Sequence, residues 1–480
     1  MPGFLKNRIR TITGTDAGFF QSVYYLLSYC SYQLFYGNML SKLINKFFAR
    51  PVNYASWLES SITADKEAGI PIHILSKGST VLPESGYVVI ANSGDQFRRD
   101  ALPLLSRFII SNDFPELISF DFDEVNQKGT HQSPHFNPAW SPHTLAQSNY
   151  LQNAYCAKVE LFKEEIPLTP EAQYAWLQSL SEKGIRSLHC QEVLLHKQQI
   201  KLLKGNTIIQ HDSAKLVSII IPTRNKSFLV KQSVDAILNI TTYANFEIVL
   251  VDNASNEAEL LELLKLYKER LGKRFVQATA NIPFNFSALI NLGVAHASGD
   301  YFVFLNNDTS VITPDWIERM LSKFNVGKTG AVGAKLLYPN HTIQHAGIIL
   351  DPDIISRHIY LGKAEHEREV STDRNYTAVT AACMMVSREA FHKVGGFDAA
   401  FAVNYNDIDF CLRLMQAQYY NVYAADVVLY HYESASRQHP FASWLSGKHY
   451  RHESALMRKK WQKLIEDDPY YSKLNNRFAI

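Results

Sequence analysis

An α/β fold is predicted for the second half of this 480-residue chain, and three observations predict it. Short β-branched runs alternate with segments of helical spacing from Val217 to Leu305. The runs are largely apolar along their length, as strands buried on both faces are. Three of them end in polar clusters: Pro222-Thr223-Arg224-Asn225, Asp252-Asn253-Ala254-Ser255 and Asn306-Asn307-Asp308-Thr309. Alternation at this interval makes βαβ units with right-handed crossovers. Ligands of such sheets sit beyond the carboxyl ends of the strands, where these clusters fall.

In chain order, Val217–Ile221 is the first strand, and Leu229, Ser233, Val234, Ile237 and Leu238 then fall at helical spacing. Glu247–Val251 is the second strand, Glu257–Leu271 a helix and Phe275–Ala278 the third strand. A helix over Phe286–Ala297 leads to a fourth strand, Tyr301–Leu305. Further on, Asn406 to Leu414 opens an amphipathic helix whose Ile408, Cys411, Leu412 and Met415 share the buried face. Asn421–Ala424 is a strand followed by an apolar run up to His431. The polar stretch Gly205 to Lys215 marks the main boundary. Four regions result: a helical stretch over 1–70, a domain over 71–204, the main domain over 205–440 and a helical extension over 441–480. A faint repeat links residues 86–95 with residues 299–308, each an apolar strand ending in a small polar turn.

Lys+Arg 48 against Asp+Glu 46 leaves a formal charge of +2, which gives no support to a nucleic-acid-binding surface. Five cysteines without a CxxC pair argue against a disulfide scaffold or zinc ribbon and favour a reducing, cytoplasmic compartment. No secretory signal is expected at the start. Ala17 to Leu40 carries no charge and reaches transmembrane length, but Gln21, Ser22, Ser28, Ser31, Gln33 and Asn38 interrupt it. That pattern points to a helix docked on protein or lying on a membrane surface ahead of a true span.

The strand-end residues carry the candidate chemistry, each beside a plainer alternative. Asp308 suits a hard divalent cation, with Asn306 offering a neutral carbonyl, or the tripeptide is an Asx turn closing a strand. Asp252 suits a base N–H or ribose hydroxyl, or caps the next helix. Thr223, Arg224 and Asn225 sit at a helix start that suits an anion, although neither GxGxxG nor GxxxxGK[ST] is present there. Asn281 and Asn285 add amides to that edge or serve as ordinary loop residues. Asp407, near a helix N-terminus, is placed to take a proton from a hydroxyl, or it or Asn406 caps the helix. Asp409 faces elsewhere. His431 completes a metal shell or meets a phosphate, or is a packed histidine, and His345 invites the same caution.

Taken together, five blocks resemble the family 2 glycosyltransferases, the GT-A fold group that assembles bacterial surface polysaccharides: Val217 to Asn225, Ile248 to Ser255, Phe304 to Thr309, Ala382 to Leu414 with Gly395-Gly396-Phe397-Asp398, and His431 to Arg437. The tail Asp468-Pro469-Tyr470-Tyr471 is similar to O-antigen or rhamnan-type members. The resemblance implies a GT-A fold, a Rossmann-like mixed sheet flanked by helices, over about Leu216 to Ile480. It implies inverting transfer from a UDP- or dTDP-type nucleotide-diphospho-sugar to a hydroxyl of a glycan or lipid-linked glycan. Asp252 would hold the base or ribose, with Pro222, Thr223, Arg224, Asn225, Asn281, Asn285, Asn306 and Asn307 on the donor side. Asp308, helped by His431, would hold Mg²⁺ or Mn²⁺ on the diphosphate, and Asp407 matches the catalytic base.

Two departures stand out. The family's Asp-x-Asp is Asn306-Asn307-Asp308 here, and the Glu of its Glu-Asp is Asn406. A non-catalytic sugar-nucleotide- or polysaccharide-binding subunit is therefore the alternative; a nucleotidyltransferase would need a glycine- and lysine-rich loop, which the first helix start does not offer. The first half resembles the same family in decayed form. Asn137 to Leu145 matches a block between the metal and base motifs, Asn92-Ser93-Gly94-Asp95 keeps one acid of a metal motif, and Gln173-Tyr174-Ala175-Trp176 lacks the base. A degenerate, catalytically dead partial GT-A-like domain is expected over 71–204. A cytoplasmic protein with peripheral inner-membrane contact through residues 17–40 or Arg458-Lys459-Lys460 is expected.

Overall fold

The computed structural model describes residues 69–162, 166–205, 211–432 and 448–478, a few single positions excepted, together with Tyr54 and Leu58. The 17–40 stretch and residues 433–437 of the last motif block lie outside the described residues.

The first half is one sheet with helices on both faces. Its strands are β1 (Ile72–Ser76), β2 (Tyr87–Ala91), β3 (Gln96–Phe97), β4 (Leu117–Val125), β5 (His131–His135), β6 (Tyr155–Lys158) and β7 (Ser187–Lys197). Their order is β1-β2-β6-β4-β7-β3, with β5 paired to β4. Alternation along β2 sorts the faces. Tyr87 and Val89 pack with α1 (Ala101–Ser111), while Val88 and Ile90 pack with α2 (Pro142–Gln147) and α3 (Pro170–Leu180).

The second half begins β8 (Val217–Thr223), α4 (Ser227–Ile240), β9 (Phe246–Asn253), α5 (Ala258–Leu271), β10 (Phe275–Ala280), α6 (Phe286–His296) and β11 (Tyr301–Leu305). β12 (Thr309–Val311), α7 (Trp316–Ser322), β13 (Thr329–Leu337), β14 (Ile343–His345), β15 (Ile348–Asp351), β16 (Ile355–His358) and β17 (Arg374–Asn375) follow. The chain then forms β18 (Cys383–Ser387), α8 (Arg388–Lys393), α9 (Asn406–Gln416), β19 (Tyr420–His431), α10 (Lys448–Glu466) and α11 (Lys473–Phe478). The sheet runs β10-β9-β8-β11-β18-β13-β19-β12. The first four are parallel, β18 is antiparallel to both β11 and β13, and β19 returns parallel to β13. Every residue of β8 and β9 is buried, which is why their sequences read as largely apolar runs. Ile220, Val249 and Val251 face α6, α9 and α10, and Ile219, Leu250 and Ile248 face α4, α5 and α7. A Cβ on Gly293 would stand 2.4 Å from Ile220 Cγ2, so only glycine lets α6 lie this close to β8. The strand expected at Asn421–Ala424 runs on to His431, because a bulge between Ala424 and Val428 carries it past the register break.

The two sheets repeat one another. β1·β2 and β8·β11 are parallel, β2·β6 and β11·β18 antiparallel, β6·β4 and β18·β13 antiparallel, β4·β7 and β13·β19 parallel. The short strands β3 and β12 each pair antiparallel with the long last strand, and β5 and β14 each hang from its neighbour. Among the described residues the first half has no partner for β9 and β10.

The halves meet through α2. His143 Nε2 lies 2.9 Å from the Lys323 carbonyl oxygen, Asn375 Nδ2 donates to His143 Nδ1 at 3.1 Å, and Gln147 Nε2 donates to Asp373 at 3.0 Å. Lys323, itself buried, is held by Asp373 at 2.7 Å and Asp426 at 3.0 Å.

Candidate active site

The ends of β8, β9 and β11 lie side by side, since β8 is the parallel neighbour of both others. Thr223 closes β8 and accepts a hydrogen bond from Asn307 Nδ2 at 2.8 Å, fastening the β8 terminus to the loop after β11. Pro222 is buried in β8 and Arg224 is exposed beside it. Asn225 is left-handed, at φ 56°, which asparagine tolerates. Its Oδ1 accepts from the N–H groups of Asn256 and Glu257 at 2.9 and 3.2 Å, satisfying donors at the start of α5. Its side chain is engaged in structure.

Asp252 is buried at the end of β9. Oδ1 accepts from Ser255 N–H at 3.0 Å, an Asx turn, and Oδ2 has no protein donor among the described residues. One oxygen thus shapes the turn. Asn285 takes the plainer role: Oδ1 caps α6 through Ala288 N–H at 3.0 Å and Nδ2 donates to the Ala399 carbonyl at 2.9 Å. Asn281 is exposed in the preceding loop.

Asp308 and His431 converge. Asp308 Oδ1 lies 3.1 Å from His431 Nε2, both side chains are buried, and Asn306 Nδ2 stands 3.4 Å from the same nitrogen. His431 Nδ1 faces Gln344 Oε1 at 3.0 Å. An Nδ1–H donated to that oxygen leaves the Nε2 lone pair facing a carboxylate, a contact that a cation relieves. Adjacent ligands of an octahedral Mg²⁺ or Mn²⁺ stand about 3 Å apart, so the pair fits such an ion without rearrangement. Asp308 and His431 are the two residues that would hold such an ion at this edge.

Asp407 is the second residue of α9, half-buried, behind a left-handed Tyr405 at φ 59°. Neither Asn406 nor Asp407 is the N-cap; that position is Tyr405, without a side-chain cap bond. Asp407 Oδ2 accepts from Ala381 N–H at 3.2 Å, and the Ala382 carbonyl accepts from Asn306 N–H at 3.0 Å. One dipeptide therefore fixes the base candidate on one side and the metal motif on the other. Asp409 is sealed away with Arg413, Lys460 and Trp461, at 2.8, 2.8 and 2.9 Å, and anchors α10. His345 is a packed histidine, fully buried, its imidazole pushed well below the ordinary value by burial. Sequence reasoning missed Gln344, the partner that orients His431, although its neighbour His345 had drawn notice.

Residues 218–395 match the family model for glycosyl transferase family 2. The chain carries a family 2 glycosyltransferase domain. Its mixed sheet, with the parallel β10-β9-β8-β11 core and antiparallel β18, is the GT-A arrangement. The chain is 30% identical over 471 residues to the uncharacterized protein y4gI of Sinorhizobium fredii, covering 88% of this chain and 52% of that one. It is 30% identical over 388 residues to the O-antigen biosynthesis protein RfbC of Myxococcus xanthus, covering 70% of this chain and 30% of that one. The chain thus spans about half of the first relative and under a third of the second. Among solved structures it is similar to GalNAc-T7 with UDP, GalNAc and Mn²⁺, at TM-score 0.39 and 16% identity over 55% of this chain and 53% of the other. Among the described residues no helix is long and apolar enough to cross a membrane.

Proposed function

We propose that the second half transfers a sugar, with inversion, from a nucleotide-diphospho-sugar to a hydroxyl of a growing, lipid-linked surface polysaccharide. The observation that carries this reading is the Ala381–Ala382 dipeptide, which sets Asp407 beside the Asn306–Asp308 loop. Asp252 accepts a hydrogen bond from the base or ribose on Oδ2, and Thr223 and Asn307 brace the donor edge between them. Arg224, Asn281 and the left-handed turn at Asn225 border that edge. The Asp407 carboxylate takes the acceptor's hydroxyl proton as that oxygen bonds to the anomeric carbon, while the bond from that carbon to the diphosphate oxygen breaks on the opposite face. Asp308 and His431 would hold Mg²⁺ or Mn²⁺, whose chemistry is to offset charge on the leaving diphosphate.

The first half is, in this reading, a trimmed and inactive copy over 71–204. Among the described residues it lacks counterparts of the two strands that would hold a nucleotide. Where Asp308 meets His431 from the end of β19, Asp95 meets Lys197 from the end of β7, at 3.1 Å with both buried. A fixed ammonium thus occupies the place of a cation. The exposed basic residues of α10 suit a peripheral contact with the cytoplasmic face of the inner membrane.

Purified chain with Mn²⁺ and a panel of nucleotide sugars tests the assignment. Turnover that Asp407→Asn lowers by about 10²–10⁴-fold, with donor binding kept, supports it. The Asn306 and Asn406 replacements favour a second reading, a binding subunit, and tight donor binding by the wild type without any turnover selects that one.

A further inference from the structure

We propose that Asp123, His131 and His196 form a second divalent-cation site, of the zinc class, on the first half of the chain. It is separate from the Asp308 edge and does not depend on the transferase reading. Asp123 and His196 are directly opposite across the parallel β4·β7 pair, and His131 stands on β5, which folds back on β4. His196 Nδ1 lies 2.7 Å from Asp123 Oδ1 and His131 Nδ1 lies 2.9 Å from Asp123 Oδ2. The three ligand atoms all fall within 4.8 Å of one another, the one group of three such residues gathered so closely among the described residues. Tetrahedral zinc with two imidazoles and a carboxylate has bonds of about 2.0–2.2 Å, which sets its ligand atoms about 3.3 Å apart. Small side-chain rotations therefore open the cluster around an ion, and imidazole with carboxylate is a donor set that zinc takes readily.

Charge argues in the same direction. Asp121 and Asp123 are fully buried two residues apart on β4. Among the described residues their ion-pair partners are histidines only, His189 for Asp121 and His131 with His196 for Asp123. Asp121 Oδ2 has no hydrogen-bond partner among the described residues. Buried carboxylates without lysine or arginine are costly unless a cation or several donors answer them. Tyr54 donates to Asp123 Oδ2 at 2.9 Å. It thus orients the carboxylate as an outer-shell donor. Water fills the fourth position, reached past His131, whose side chain is 28% exposed. A bound ion would clamp the β4–β5 hairpin to the end of β7, a structural role.

The test uses the full chain stripped with chelator and titrated with Co²⁺ and then Zn²⁺. The variants are His131→Ala, His196→Gln and, as a control at the other edge, His431→Ala. Far-UV circular dichroism verifies folding, and His131, partly exposed, is the variant least able to disturb the core. The expected result is one Co²⁺ per chain with the intense visible bands of tetrahedral coordination, and a thermal midpoint raised by Zn²⁺. Both are kept in His431→Ala and weakened at least tenfold in His131→Ala. A wild type without tetrahedral bands, or bands of equal strength in a folded His131→Ala, overturns the site and leaves a hydrogen-bonded cluster only.

Discussion

Replacing His143 by glutamine probes how the two halves hold together, and its effect can be worked from the interface. The imidazole is 2% exposed, Asn375 donates to Nδ1, and Nε2–H donates to the Lys323 carbonyl, so both nitrogens are satisfied in the neutral form. A second proton on Nδ1 would face the Asn375 amide with no acceptor. Burial, and secondarily the charge of Lys323, push the His143 pKa down to about 4. The unfolded chain takes that proton near 6.5, the folded chain only near 4, so this contribution is complete above 6.5 and is lost as pH falls to 4. The difference is worth about 3 kcal/mol. Asp468 works in the opposite direction. Burial raises its carboxyl to about 6 from 3.8, so its contribution is complete below 3.8 and disappears as pH rises through 6, again about 3 kcal/mol. Between pH 4 and 6 these two contributions nearly cancel. Urea midpoints measured at pH 7, 6, 5 and 4 therefore vary little from this pair in the wild type. In His143→Gln they start lower at pH 7, by the lost hydrogen bonds at about 1–2 kcal/mol, and climb on acidification as Asp468 acts unopposed. Parallel curves for the two proteins would refute the assignment of a neutral, pH-resisting histidine to this interface.

Asp308→Asn should raise the Mn²⁺ concentration needed for half-maximal turnover by about tenfold or more, read in a metal titration at saturating donor. Lys197→Met strands the buried Asp95 carboxylate and should cost about 3–5 kcal/mol in chemical denaturation. The kcat per folded molecule should stay at the wild-type value, since no step uses the first half's acids. Gly333→Ala places a methyl 2.4 Å from Val379 Cβ between β13 and the segment leading to β18. Overpacking there should lower stability by about 1–3 kcal/mol in the same denaturation assay.

The parallel core was legible because burial on both faces favours a largely apolar run. Tyr301–Leu305 matches its expected span, and β8, β9 and β10 differ from theirs by one or two residues at their ends. The antiparallel return through β18 and β13 was not legible, since long-range pairing leaves no local period in the sequence. Among the site candidates, the positions of Asp252, Asp308 and Asp407 at strand and helix ends followed from alternation. What the amides of Asn225 and Asn285 do did not follow, because the same residue type serves a ligand or a helix start equally well, and only the partner, Glu257 N–H or Ala288 N–H, decides. His143, Gln344 and the Asp123–His196 pair were hidden for one reason: their partners lie tens to hundreds of residues away.

The strand pair β10-β9 occupies one end of its sheet, and every ladder of the remaining strands is made without it. In the proposed reading, deleting such a terminal pair removes the donor's cradle but none of the ladders among the remaining strands, so a duplicated unit sheds its nucleotide grip in a single cut. The exposed rim left behind is β1, five residues long with Ile74 half open to solvent, short enough to offer a poor template for unwanted strand addition. On that proposal, an architecture of this kind turns a spare catalyst into a bracket, and it tells the protein engineer where a transferase can be split.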